Sequence, residues 1–386
     1  AARVQAMRKV LYLTGTRADF GLMASTLARI AAHPGLSLQL TVTGMHLSEA
    51  CGLTVREVEA TGLPIVARIP TAVDERSTDA MALGIAQTLQ GLTPVLRAQR
   101  PDIVLVLGDR GEMLAGAIAA IHQGIVVAHL HGGERSGTVD EPVRHAITKL
   151  SHWHFVATEE SRKRIVRMGE RPEHVWITGA PSLDDLSGPA ATPREQVLAT
   201  LGLPADARYA LVLFHPVVQE IASLHEQTRA LAGALAQALP GHASHIVWLA
   251  PNADAGSAEI LRALEEGAQG LPVVRLTHLP RPQFVAATKQ ALALVGNSSA
   301  GIIEAASLGT PVVNIGNRQR ARERNANTLD CAADQTSIAA ALRQALDHGP
   351  WSPANRYGDG QAGARIADLL ATLPIASDLL DKVNAY

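Results

Sequence analysis

Short runs of aliphatic and β-branched residues alternate with longer alanine- and leucine-rich stretches from one end of the chain to the other. A strand in a parallel sheet is buried on both faces and reads as a continuous apolar run, while the crossover to the next strand reads as an amphipathic helix. The alternation therefore predicts an α/β fold. In the first half it predicts strands at Val10–Leu13, Ser37–Val42, Ile65–Ile69, Ile103–Leu107, Ile125–Leu130, His154–Ala157 and Val175–Thr178. A stretch of Asp, Gly, Ser and Pro from Asp184 to Pro193 reads as a linker. The pattern restarts at Tyr209–Phe214 and continues through His245–Leu249, Val273–Leu276, Ala291–Val295 and Val312–Ile315. Two Rossmann-like, doubly wound units are expected, residues 1–185 and 186–370. Such units bind ligands where their strands end, in this case at a shared cleft, so chemistry is sought at strand C-termini.

Composition narrows the function classes. A chain of 386 residues exceeds what one hydrophobic core usually organises, which agrees with two units. At 47% hydrophobic and 18% charged it is a globular chain with sizeable cores. A net charge of −2 supplies no global basic field, which argues against nucleic acid and membrane surfaces as partners and makes any phosphate site local. Cys51 and Cys331 are too few and too far apart for a disulfide framework or a cysteine zinc site. The apolar run Val10–Leu13 after Arg3, Arg8 and Lys9 is too short for a signal-peptide core. No apolar segment reaches the roughly 20 residues that span a bilayer, and a cytoplasmic location is expected.

Six polar segments sit at predicted strand ends. Gly15 to Gly21, with Arg17, offers helix N–H groups and a guanidinium to an anion, or is a helix-capping turn. It is not G-x-G-x-x-G, so a nicotinamide cofactor is not supported. Asp109, after Gly108, is either an N-cap for a helix over Glu112–His122 or a catalytic carboxylate. The densest cluster runs from His129 through His131, Glu134, Asp140 and Glu141 to Arg144, His145 and Lys149. So many ionisable groups beside flexible glycines mark a site. His129-x-His131 also suits zinc, although no cysteine is near. In the second half, His215 ends a strand before Pro216, as a structural or a cleft-edge histidine. Gly296-Asn297-Ser298-Ser299-Ala300-Gly301 opens a helix with small residues suited to a diphosphate, with Glu304 placed for a ribose diol. Arg318 follows the next strand and offers a guanidinium to phosphate, or belongs to a solvated basic loop.

In order, G-T-R-A-D at Gly15–Asp19, G-D-R at Gly108–Arg110, G-G-E-R-S-G-T-V-D-E-P-V-R-H-A-I-T-K at Gly132–Lys149 and G-A-P-S-L-D at Gly179–Asp184 resemble the hydrolysing UDP-N-acetylglucosamine 2-epimerases of sialic-acid pathways and their relatives acting on UDP-diacetamido-trideoxyhexoses. H-P-V at His215–Val217, P-N-A-D-A-G-S at Pro251–Ser257, G-N-S-S-A-G at Gly296–Gly301, N-I-G-N-R-Q at Asn314–Gln319 and Y-G-D-G at Tyr357–Gly360 continue the same resemblance. It implies the GT-B fold, with a C-terminal helix over residues 371–386 crossing back onto the first unit. It implies a UDP-sugar as substrate, neither metal nor redox cofactor, and a homo-oligomer, dimer or tetramer.

As an imidazole, His131 is expected to assist catalysis as a donor or a base, and the resemblance further implies that Asp109 and Asp140 are catalytic and that His215 is catalytic or contacts the diphosphate. It makes Arg17, Asp19, Glu134, Arg144, Asn252, Ser298, Ser299, Gly301, Glu304 and Arg318 contacts to UDP and sugar. One position departs from the sialic-acid members, which read H-I-E-G-G where this chain has His131; a branch that includes the diacetylbacillosamine-type enzymes carries histidine there. The activity implied is conversion of a UDP-2-acetamido-gluco sugar to the free manno sugar and UDP, through a 2-acetamidoglucal. The rivals are a non-hydrolysing 2-epimerase, a GT-B glycosyltransferase and a non-catalytic sensor.

Overall fold

The computed structural model describes residues 7–72, 78–136, 140–215, 223–249, 257–267, 270–277 and 279–386, without the side chains of 78 and 257–261. The chain divides into two compact units, one running up to Asp184 and again from Tyr357 onward, the other Asp185–Arg356.

The first unit holds a seven-stranded sheet of β1 (Arg8–Thr14), β2 (Leu36–Thr43), β3 (Ile65–Ile69), β4 (Ile103–Leu107), β5 (Val126–Leu130), β6 (Trp153–Val156) and β7 (Val175–Ile177). Its order is β3-β2-β1-β4-β5-β6-β7 and every pairing is parallel. The second unit holds β8 (Tyr209–Leu213), β9 (His245–Leu249), β10 (Val273–Leu276), β11 (Leu294–Gly296), β12 (Val312–Ile315) and β13 (Thr328–Cys331), ordered β10-β9-β8-β11-β12-β13 and also parallel. The apolar runs fill these strands because each is covered on both faces: β4, β5 and β8 are buried at all five positions. β13 was not predicted. It reads Thr-Leu-Asp-Cys on a sheet edge, where one face of the run is not required to be apolar.

Each sheet reverses its winding at one place, between β1 and β4 in the first unit and between β8 and β11 in the second. A crevice opens at the strand C-termini there, since the crossover helices leave to opposite faces. The segments ending β1, β4, β8 and β11 are Thr14–Gly15, Gly108–Asp109, Phe214–His215 and Asn297–Ser298, all from motifs singled out above.

The unit boundary falls inside the expected linker, but the chain re-enters the first unit at Tyr357 rather than at residue 371. The returning helix is Ala362–Thr372, and beyond it lies a 3-10 turn at Ser377–Leu379 rather than a helix over 371–386. Pro374 ends the helix by withholding an N–H. Ile366, Ala367 and Leu370 join the core of the first sheet. Asp184 fixes the point of return: its Oδ1 accepts from the N–H of Ala362 at 3.0 Å and its Oδ2 from that of Gly363 at 2.6 Å. Among the described residues no helix is long and apolar enough to cross a membrane.

A buried carboxylate that satisfies two otherwise orphaned helix N–H groups is worth more than an exposed cap. Asp184→Ala is expected to lower stability by about 2 kcal/mol, read as a reduced midpoint in urea unfolding. An unchanged midpoint would remove the cap from the forces holding the returning helix.

Candidate functional site

At the switch point of the first unit, Thr16 N-caps the helix Arg17–Ala32 in a capping box with Asp19. Asp19 is buried and accepts five bonds: from Tyr12 Oη at 3.2 Å, Thr14 Oγ1 at 2.5 Å, Gly15 N at 3.0 Å, and Thr16 N and Oγ1 at 2.7 and 3.0 Å. Thr14 spends its hydrogen on Asp19, so it accepts from Nε2–H of His46 at 2.9 Å, and Nδ1 of that ring accepts from the Thr54 hydroxyl at 2.9 Å. Burial pushes His46 down to about 4, and the ring is neutral at physiological pH. Arg17 sits on the first turn of the same helix, 3.6 Å from the Glu57 carboxylate.

The ends of β4 and β5 are joined by a buried guanidinium. Arg144, on the helix Asp140–Leu150, is 2% exposed; its Nη2 is ion-paired with Asp109, and its Nη1 donates to the Glu134 carbonyl at 2.9 Å and to Ser136 Oγ at 3.4 Å. His129 lies beneath, fully buried. Its Nε2 donates to the Gly108 carbonyl at 2.8 Å and its Nδ1 accepts from the Thr148 hydroxyl at 3.2 Å. Burial presses it down to about 3. His131 adopts φ +61°, in the left-handed region, and this turns its side chain out of the strand line. Its Nδ1 donates to Oε1 of Glu134 at 2.5 Å, which leaves Nε2 as the ring's acceptor. Asp140 is exposed at the start of its helix, where Glu141 already takes the N–H of Ser136 at 2.9 Å.

In the second unit a neutral amide does the joining. Asn297, 2% exposed, accepts the N–H of His215 at 2.7 Å and donates to its carbonyl at 2.8 Å, tying the end of β8 to that of β11. The Asn297 carbonyl accepts from Arg318 Nη1 at 2.9 Å and Gln319 Nε2 at 3.2 Å. Gly296, at φ +149°, lets the strands meet, since a Cβ there would lie 1.8 Å from the Leu213 carbonyl oxygen. Ser298 caps the short helix Ser299–Ile303 by accepting from Ala300 N at 3.3 Å, and Ser299 is its first residue. Burial, followed by the nearby Arg318 charge, lowers His215 to about 4.

The structure thus brings Asp109, Glu134, Arg144 and His131 together and, separately, His215, Ser298, Ser299 and Arg318. Several expected substrate contacts are turned inward instead. Asp19 is saturated by its own loop, Glu134 is buried on His131, and Arg144 is spent on Asp109 and the Glu134 carbonyl. Gly301 is buried where a Cβ would come within 3.0 Å of Val312, so it provides close helix packing. Glu304 is buried against Arg281, with both oxygens 3.2 to 3.3 Å from Nη1; burial raises its pKa and Arg281 opposes that.

Asn252 and residues 137–139 and 216–222 lie outside the described residues. Among the described residues no group of three metal-ligating side chains occurs, and both nitrogens of His129 are engaged by protein groups. Sequence reasoning passed over Asn297 and His46. Asn297 stood inside the quoted G-N-S-S-A-G motif, whereas His46, after β2, carried no signal beyond its residue type.

Two doubly wound parallel units with polar loops at their switch points define an α/β protein of the GT-B fold class, and a UDP-GlcNAc 2-epimerase from Neisseria meningitidis, solved with UDP-GlcNAc bound, shares that fold at a TM-score of 0.77 and 20% identity, over 94% of this chain and 99% of that one. The sequence pattern of the UDP-N-acetylglucosamine 2-epimerase family matches residues 28–371. A Legionella pneumophila protein named UDP-N,N'-diacetylbacillosamine 2-epimerase (hydrolyzing) is 45% identical over 381 residues, 98% of this chain and 100% of that one. A UDP-N-acetylglucosamine 2-epimerase of Neisseria meningitidis serogroup B is 35% identical over 358 residues, 92% of each. The chain belongs to the UDP-N-acetylglucosamine 2-epimerase family.

The hydrogen bonding of His129 makes a direct test. Because burial holds it near 3, its ring resonances are expected to stay those of a neutral Nε2–H tautomer from pH 5 to 8 in 15N-resolved NMR. A titration midpoint within that range would overturn the assignment.

Proposed function

We propose that the protein is a hydrolysing 2-epimerase that converts a UDP-2-acetamido-gluco sugar, in particular UDP-2,4-diacetamido-2,4,6-trideoxyglucose, to the free manno-configured sugar and UDP. The observation that carries this reading is the 45% identity, over nearly the whole of both chains, to the Legionella protein named for hydrolysing the diacetylbacillosamine sugar. His131, in place of the glutamate of the sialic-acid members, agrees with that branch.

The substrate sets the order of events. In an α-linked UDP-gluco sugar the C1–O and C2–H bonds are both axial and antiparallel, so their loss together gives UDP and a 2-acetamidoglucal. The C2 proton is only weakly acidic. The C–O bond therefore breaks well ahead of the C–H bond, through an oxocarbenium-like state that a carboxylate stabilises. The departing diphosphate is met by Arg318 and the Ser298–Ser299 helix start of the second unit. Water then adds its hydroxyl to C1, and a proton enters C2 from the other face. Asp140, exposed on a helix start, handles one of these protons. Asp109, held by Arg144, supplies fixed negative charge and His131, through Nε2, assists the proton transfers.

Two variants separate the roles. Asp140→Asn is expected to fold, bind UDP and lose about a hundredfold or more in turnover, because an amide keeps the shape but cannot carry the proton. In D2O the wild-type product carries one deuterium at C2. A product without it, or near-normal turnover of the variant, would sink the assignment. Incubation with each of UDP-N-acetylglucosamine and the diacetyl sugar, followed by NMR, identifies the substrate, and UDP that is not released would favour a non-hydrolysing epimerase.

Arg318→Ala is expected to weaken UDP binding about tenfold or more by calorimetry, since a charge-assisted phosphate contact is lost. Unchanged affinity would remove Arg318 from the nucleotide site.

A further inference from the structure

The last residues of the first unit make contacts that the sheet itself does not need. Lys382 Nζ donates to the carbonyls of Thr148 at 3.2 Å, Lys149 at 2.8 Å and Ser151 at 2.5 Å, at and just past the C-terminus of the helix Asp140–Leu150. A cation there also meets the negative end of the helix macrodipole. The same ammonium lies 2.7 Å from Oε2 of the buried Glu170. Burial alone would raise the Glu170 pKa, but bonds from His154, Lys149 and Lys382 outweigh it and hold the carboxyl down to about 2.

The tail is pinned again beyond Lys382. Lys149 Nζ reaches Glu170 at 2.6 Å and Asn384 Oδ1 at 2.7 Å, and the N–H of Ala385 donates to the Gly169 carbonyl at 2.8 Å.

From this anchor, bonds run without a break to the site. Thr148, whose carbonyl Lys382 holds, gives its hydroxyl to His129, and His129 donates to the carbonyl of Gly108, the residue before Asp109. Arg144, on the same helix, grips Asp109 itself. One grip on the Asp109 loop, that of Arg144, therefore comes directly from the helix whose far end is fixed by Lys382, and the other, that of His129 on β5, is held by Thr148 of the same helix. We propose that Lys382 is a positioning residue for Asp109 and Arg144, acting through the helix Asp140–Leu150 and through Thr148 and His129. The inference rests on the reading of Asp109 as part of the reacting site.

Lys382→Met, Lys382→Arg, Thr148→Val and Asp109→Asn are compared with the wild-type chain on UDP-N-acetylglucosamine and on the diacetyl sugar, well below each variant's measured unfolding temperature. Lys382→Met and Thr148→Val are expected to lower kcat about tenfold, because a displacement of about an ångström in a reacting group costs that much or more. KM should stay within about twofold, since the diphosphate contacts lie in other loops. Lys382→Arg, which keeps a cation at the carbonyls, should recover most of kcat. A purely structural lysine would lower the unfolding temperature and leave kcat of the folded enzyme alone.

Wild-type kcat in folded Lys382→Met overturns the inference when Asp109→Asn is inactive; should Lys382→Met not fold, wild-type kcat in Thr148→Val does the same. Normal turnover of Asp109→Asn defeats the site reading first, and this inference with it.

Discussion

A guanidinium cannot shed its charge inside a protein, so the 2% exposure of Arg144 makes Asp109 obligatory. Breaking a buried pair by removing one partner costs about 3 to 5 kcal/mol, because the other charge is stranded. The geometry of the first unit's site follows from satisfying this one group. Asp109 must stand at the end of β4, the Glu134 carbonyl must turn inward after β5, and the helix Asp140–Leu150 must lie where its fifth residue can reach both. Asp140 takes its place as the first residue of that helix. The site is coupled to the stability of the unit, so that even the isosteric amide at Asp109, which keeps the shape and an acceptor, leaves the Arg144 charge uncompensated.

The second unit solves the same joining problem without charge. An amide has both a donor and an acceptor, so Asn297 can bond the N–H and the carbonyl of His215 at once and close the two switch-point strands on each other. Its own carbonyl then sets where Arg318 and Gln319 stand. A carboxylate in that place would lack the donor and would bring negative charge to a loop proposed to receive a diphosphate. Neutral joining thus keeps negative charge away from the loop that is proposed to receive an anionic leaving group.

Much of this was legible before any coordinates. Twelve strand positions follow from apolar runs that parallel sheets require, and the polar loops fall at the switch points because glycines and ionisable residues cluster where strands stop. The edge strand β13 was not legible, since an edge position relaxes the pattern that announces a strand. Within the loops, residue type located the site but not the direction of each side chain. Asp19, Glu134 and Arg144 look in sequence like groups awaiting a ligand, yet each is consumed by neighbours that converge only on folding: Thr14 and Thr16, His131, and Asp109. Asn297 was overlooked for the opposite reason, as a single amide in a run of small residues announces nothing until the β8 end is beside it.

The histidines of the first unit show how burial sorts residues that sequence leaves equal. His129, His152 and His154 are buried, and desolvation disfavours the charged ring in each, to about 3 for His129 and about 4 for His152. His129 and His152 spend ring nitrogens on the backbone, at Gly108 and Val127, and His154 spends Nε2 on Glu170. These rings brace the sheet. His131 differs in two respects. A left-handed backbone takes it off the strand, and its Nδ1–H is given to a carboxylate, which orients the ring. A ring so held can pass a proton through Nε2 and recover it without turning over, because the other proton is never in play. A single residue, Leu130, separates His129 from His131, yet the first is a buried neutral ring bracing the sheet and the second, proposed to assist proton transfer, is turned off the strand by its positive φ.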